Sequence, residues 1–169
     1  MKTMGLLLLV VAGLLLGLMA AGGLRRRVTS LDQLSRFMVR MADQIRYTAA
    51  PVEELLESAE NSGEFADLPI LGRICSKIRN GERVPDAWEN AVEEDGRESG
   101  LTEGDRDLLR GFGSQFGRTD VEGQIANCRQ YGDLLGQRLA EAREASAAKG
   151  RLYLTLGFAG GMALALLLL

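Results

Sequence analysis

The sequence contains no histidine, and this absence removes several kinds of catalytic site. Histidine is the commonest general base, a usual ligand of catalytic zinc, and the partner of serine or cysteine in nucleophilic pairs. Cysteine is also scarce, since Cys75 and Cys128 are the only two and fall in separate predicted helices. A disulfide framework needs denser cysteines, so we interpret both as small, buried apolar residues.

Motifs for binding phosphate and calcium are missing as well. No G-x-x-x-x-G-K-[ST] phosphate loop is present. The stretch DGRESGLTEGDR (95–106) has the glycine of a calcium loop, but Arg97 and Arg106 stand where the third and twelfth positions need acids. We therefore expect no enzyme, no cofactor and no metal site. A hydrolase with a carboxylate pair hidden among helices is the disfavoured alternative.

Charge is absent from both ends of the chain. No charged residue lies between Thr3 and Leu24 or between Leu152 and Leu169, and all 23 acidic residues lie between Asp32 and Glu144. As helices, the run from Met4 and the terminal run would be about 31 Å and about 27 Å long, enough to cross a bilayer. The sequence predicts transmembrane helices over 1–24 and 152–169 around a domain over 25–151. The chain stops within the second run, as expected of a helix that has completed its crossing.

Positive residues flank both runs on the side of the domain. They are Arg25, Arg26, Arg27, Lys149 and Arg151. On the far side only Lys2 and the terminal amine are positive. Cytoplasmic flanks carry the excess of lysine and arginine, so we expect a cytoplasmic domain with both termini outside.

A cleaved signal peptide is the alternative for the first run. Residues 20–22 (AAG) loosely resemble a cleavage site, but the three arginines that follow favour a retained helix. Cleavage would leave an exported domain held by a C-terminal anchor.

Both runs contain two glycines four residues apart, which lets helices approach closely in lipid. The pairs are Gly13 with Gly17 and Gly157 with Gly161. Such spacing is common by chance in glycine-rich runs, so a specific role in transmembrane packing is a hypothesis.

The middle of the chain has helical periodicity and no convincing strand alternation. Ser30 and Gln33 form a capping box that opens a first helix, which ends before Pro51. The remaining helices are predicted from Pro51 to Gly63, from about Phe65 to Arg79, from Pro85, from Thr102 to Gly117, and from Thr119-Asp120 without a proline into the terminal run. The fold class is all-α, a compact antiparallel bundle of about six helices between two transmembrane helices.

The domain over 25–151 carries 19 basic and 23 acidic residues, a net charge of −4. A nucleic-acid binder would be basic, so nucleic acid is not an expected partner. Five acids close together predict a docking surface for a basic face of a cytoplasmic protein: Glu89, Glu93, Glu94, Asp95 and Glu98. An ordinary soluble surface is the plainer alternative.

Four stretches, in this order and with the terminal runs, resemble the stage III sporulation protein AB family over essentially the whole chain. They are LDQLSRFMVRMADQIRYTAAPVEEL, VPDAW, LLRGFGSQFGRTDVEGQ and KGRLYLTLGFAGG. Phe116 departs from the aliphatic residue expected there, which puts only local packing in doubt.

The resemblance implies more than the composition does. The family is similar to the cytoplasmic domain of type II secretion platform proteins, a small bundle of six helices. It implies a multi-pass protein of the mother-cell membrane around the forespore, in a channel assembly between the two cells. The implied partners are a cytoplasmic secretion-type ATPase and other channel membrane proteins. The membrane and a second copy of the chain are further candidate partners. A stand-alone membrane scaffold without an ATPase is the alternative function.

Overall fold

The computed structural model describes the backbone of residues 2–48 and 50–167. Side chains are described at 11, 12, 15, 18, 19, 21–48, 50–149, 152, 155, 156, 159 and 160. The chain forms two compact units. The terminal unit contains Met1–Val28 and Glu141–Leu169, and the bundle unit contains Thr29–Ala140.

Six helices and no strand occur in the described backbone, which confirms the all-α prediction. They are α1 (Lys2–Thr48), α2 (Val52–Asn61), α3 (Pro69–Arg79), α4 (Val84–Asp95), α5 (Glu103–Gln115) and α6 (Val121–Leu167). As predicted, α6 continues without a break into the C-terminal apolar run, because nothing in its 47 residues interrupts the backbone hydrogen bonds.

The predicted start of the first bundle helix at Ser30 is wrong. Helix α1 runs from Lys2 to Thr48 without interruption, so the N-terminal apolar run and the amphipathic segment form one helix. The hydroxyl of Ser30 donates a hydrogen bond to the carbonyl oxygen of Ser99, 2.9 Å away. A capping signature therefore marks a tertiary contact here, because the preceding arginines continue the helix without penalty.

The third helix begins four residues later than predicted. Pro69 stands in its first turn, and a residue before proline avoids the helical region, so Leu68 is not helical (φ −115°, ψ 80°). Phe65 is still buried, and its ring meets that of Phe37 edge-on at 5.6 Å between centroids.

Helix α5 begins after Thr102, as the sequence predicts, and its start is a complete capping box. The Thr102 hydroxyl accepts from the backbone N–H of Asp105 at 3.3 Å, and the Asp105 carboxylate accepts from that of Thr102 at 2.9 Å. At its other end, Gly117 has a positive φ of 81°, a conformation that glycine adopts without strain.

Replacing Thr102 by alanine is expected to lower the free energy of unfolding by about 1 kcal/mol, because one N–H at the helix start loses its acceptor. Urea unfolding of the full chain in detergent, followed by circular dichroism, measures the loss. Thr102→Ser keeps the hydroxyl and serves as control. Equal stability of the alanine and serine variants would contradict this role.

An aromatic cluster lies at the centre of the bundle unit. The Trp88 ring of α4 is 1% exposed, and its centroid lies 6.1 Å from that of Phe37, 5.0 Å from Phe112 and 6.0 Å from Phe116. Phe116, the one departure from the family pattern, is 1% exposed and stacks on Phe112 with centroids 4.7 Å apart. The cluster joins α1, α4 and α5.

Most apolar residues that recur at helical spacing in the sequence are buried in the structure. These are Leu31, Leu34, Met38, Met41, Ile45, Val52, Leu55, Leu56, Ala59, Leu71, Ile74, Cys75, Val84, Ala87, Trp88, Ala91, Val92, Leu109, Phe112, Phe116, Cys128, Leu135 and Leu139. Ile78, Leu108 and Ile125 are only half-buried.

Within the bundle unit, α1 and α6 run antiparallel. A Cβ built at Gly132 would lie 3.3 Å from the Cβ of Met38, and one built at Gly117 would lie 3.4 Å from Cγ2 of Val52. The end of α1 thus lies near the start of α6, with Met38 facing Gly132.

The terminal unit consists of the first half of α1 and the second half of α6. Ala21 and Ala142 are buried in it. Among its described residues, the large exposed apolar side chains are Val11, Leu15, Leu18, Met19, Leu152 and Leu156.

Candidate interaction surface

The described residues offer no metal centre, since no three potential ligands among them converge. The segment 95–106, which lacks the acids of a calcium loop, has a structural role instead. Asp95, its first residue, is 5% exposed and accepts two hydrogen bonds from Arg73 of α3, from Nε at 3.0 Å and from Nη2 at 2.7 Å. A bidentate pair of this kind fixes one helix against another. Asp95 therefore joins α3 to α4.

Two further acids of the predicted docking surface also form ion pairs between helices. Glu94 accepts from Nζ of Lys77 at 2.9 Å. Glu93 of α4 and Glu103 of α5 both accept from Arg110, which raises the pKa of that guanidinium. Such pairs near the surface contribute little each, but a network orders the helices that it joins.

Glu89 and Glu98 differ from the other three. Both are exposed, and neither forms an ion pair in the part of the chain that the structure describes. The five predicted docking residues therefore divide into three that join helices and two that present unpaired carboxylates. Sequence spacing alone does not separate them, because all five lie within ten residues.

A second ion pair of α3, between Arg79 and Glu60, lowers the pKa of the glutamate. Arg79 donates to Glu60 at 2.7 Å, and this hydrogen bond holds the pKa of Glu60 below its usual value. Burial raises the pKa of Cys75 and of Cys128 to about 12, so both thiols stay protonated near neutral pH. Their predicted burial is confirmed, and a buried thiol of this kind is a poor nucleophile.

The predicted membrane flanks lie inside the long helices of the terminal unit. Arg25, Arg26 and Lys149 are exposed, whereas Arg27 is half-buried. The Arg151 side chain and the four glycines proposed for transmembrane packing (Gly13, Gly17, Gly157 and Gly161) lie outside the described side chains.

The two apolar runs also fall largely on residues whose side chains are not described. In the part of the chain that the structure describes, no helix combines the length and the hydropathy needed to cross a bilayer.

A groove of about 860 Å³ lies between α1 and α6 in the bundle unit. Its floor includes Cys128 and Gly132, and its walls carry Val39, Arg129 and Asp133, all three exposed. Met38 and Met41, which follow the helical period, are buried, and that period gave no reason to single out Val39. The available signal was Gly132 with Gly136, four residues apart on one helix.

Comparison with known proteins gives one match. A family model described as stage III sporulation protein AB matches residues 2–169. No curated protein and no solved structure matches the chain. Because the matched region covers essentially every residue, including all six helices, the chain belongs to the stage III sporulation protein AB family.

Proposed function

We propose that this sporulation protein is a non-enzymatic platform in the mother-cell membrane around the forespore. It docks a cytoplasmic secretion-type ATPase and couples it to membrane components of a channel between the two cells. The continuity of α1 (Lys2–Thr48) and α6 (Val121–Leu167) carries the proposal. Each joins an uncharged apolar run to the bundle unit without a break, as a mechanical adaptor requires.

The membrane part of the proposal rests on the uncharged runs and their positive flanks. Ser62 is exposed, so Ser62→Cys provides a site for a membrane-impermeant maleimide. The wild-type protein is the control, because burial raises the pKa of both native thiols to about 12. Labelling only after lysis supports a cytoplasmic bundle. Labelling in intact cells would mean that the bundle is exported, beyond reach of an ATPase.

The docking part of the proposal assigns the ATPase contact to Glu89 and Glu98. Neither forms an ion pair within the described residues, so reversing their charge breaks no ion pair between helices. The charge of Glu98 does act on Arg73, whose pKa is raised chiefly by its hydrogen bond to Asp95. Glu89→Lys with Glu98→Lys is expected to weaken binding of the ATPase roughly tenfold, since two exposed attractive contacts become repulsive. A pull-down from membranes, with and without nucleotide, measures it.

Glu54→Lys with Asp67→Lys is the matched control. Both residues are exposed acids, and the net charge changes by the same amount. Equal loss in both double variants would indicate a general charge effect and contradict a specific contact at Glu89 and Glu98. Failure of the wild-type protein to bind the ATPase in any nucleotide state would favour the alternative, a stand-alone membrane scaffold.

A further inference from the structure

The groove between α1 and α6 exposes an apolar residue between two opposite charges. Val39 of α1 is 60% exposed and lines the groove. Arg129 and Asp133 line it from α6, are both exposed, and form no ion pair with any described residue. Gly136, one turn further along α6, has open space where a side chain would be. Because Gly136 has no side chain, another helix can approach α6 closely at this position.

The register of the two helices places Val39 midway between the charges. Because α1 and α6 are antiparallel and Met38 faces Gly132, Val39 lies at the level of residue 131 of α6. Arg129 and Asp133 lie two residues to either side of that level, about 3 Å each along the helix axis. A two-fold axis through Val39, perpendicular to the helices, therefore exchanges the position of Arg129 with that of Asp133.

We propose that this groove is the contact between two copies of the chain, with Val39 packing on Val39 at a two-fold axis. Arg129 of each copy then faces Asp133 of the other, so these two residues of each copy acquire partners. Asp43, the other charged residue of the groove lining, has no role in this pairing. A surface that meets itself across a two-fold axis must be self-complementary in this way. An unrelated partner would not require opposite charges at equal distances from one exposed apolar residue.

The pairing is expected to be weak. Eleven residues line the groove, fewer than the roughly 20–30 residues per side of a stable interface. A crosslinking assay in native membranes suits such a contact, because it captures a transient complex at the natural density of the protein. The inference rests on the bundle unit alone and does not depend on the proposed ATPase.

Val39→Cys in the full chain, treated with a short bismaleimide in membranes, is expected to give a crosslinked dimer. Tyr47→Cys is the control on the same helix, and its side chain is 82% exposed. Position 47 lies about 12 Å along α1 from the axis, so its two copies would be about 24 Å apart. A dimer yield at position 39 no higher than at position 47 would overturn the proposal.

Charge exchange tests the register. In the Val39→Cys background, Arg129→Asp places acids opposite each other and is expected to reduce the dimer yield roughly fivefold. Asp133→Arg is expected to do the same. The double variant, with Arg129→Asp and Asp133→Arg together, restores opposite charges across the contact and is expected to restore the dimer yield. A dimer yield that the single reversals leave unchanged would overturn the pairing, since it would indicate random collision. A yield that the double exchange fails to restore would overturn it as well, since it would indicate another register.

Discussion

Replacing Trp88 by alanine is expected to lower the free energy of unfolding by about 3–5 kcal/mol, the range for emptying a buried aromatic site. The side chain is 1% exposed and touches rings from two other helices, Phe37 of α1 and Phe112 of α5. Neither neighbour can fill the space without leaving its own contacts. Urea unfolding of the full chain in detergent, followed by far-ultraviolet circular dichroism, measures the change.

Trp88→Phe is the matched control for that experiment. The indole N–H of Trp88 is buried and donates to no acceptor in the described part of the chain, so phenylalanine removes volume but no hydrogen bond. Its cost should be well below that of alanine. Equal destabilisation by the two variants would contradict the role of the ring as the centre of the aromatic cluster.

The second large effect is expected at Gly113 of α5, which lies directly against the indole. A Cβ at this position would lie 2.3 Å from both Cγ and Cδ1 of Trp88 and 2.9 Å from its Cβ. Trp88 is enclosed by the other rings, so it cannot move aside freely. Gly113→Ala is therefore expected to cost about 1–3 kcal/mol, as overpacking of a core does, although alanine favours helices more than glycine does.

Gly136→Ala in α6 provides the opposite control. Within one chain, no atom lies within 4 Å of a Cβ built there, so only the helix preference remains, and alanine is expected to stabilise the monomer in detergent by about 0.5–1 kcal/mol. The fluorescence of Trp88, the only tryptophan, gives a second readout at Gly113. Unchanged emission and unchanged stability in Gly113→Ala would contradict the close contact.

The helices and most of the core could be predicted from the sequence. Apolar residues three and four apart, together with Pro51, Pro85, Gly63 and Gly117, identified the six helix regions of the bundle. These signals are local, because they depend on the 3.6-residue period and on the backbone limits of proline and glycine. The same local logic was wrong at Ser30, where a capping signature stands within an uninterrupted helix.

The candidate surface depended on contacts between helices that are distant in sequence. The five acids from Glu89 to Glu98 look alike along the chain, yet Arg73, 22 residues away from Asp95, makes that carboxylate a structural group. Glu89 and Glu98 meet no such partner in the described residues. Which acid is paired is decided by the packing of α3 and α5 against α4, and no local pattern encodes it.

The sequence by itself determined the helical class, the uncharged ends, the absence of histidine chemistry and the family. Each of these follows from composition, from local periodicity or from the order of motifs along the chain. Only the tertiary structure decided which acids form ion pairs and that Gly113 packs directly against Trp88. It also decided that Val39 lies level with the midpoint between Arg129 and Asp133. The physical reason is that these properties depend on the register between helices, which the packing of the whole bundle sets.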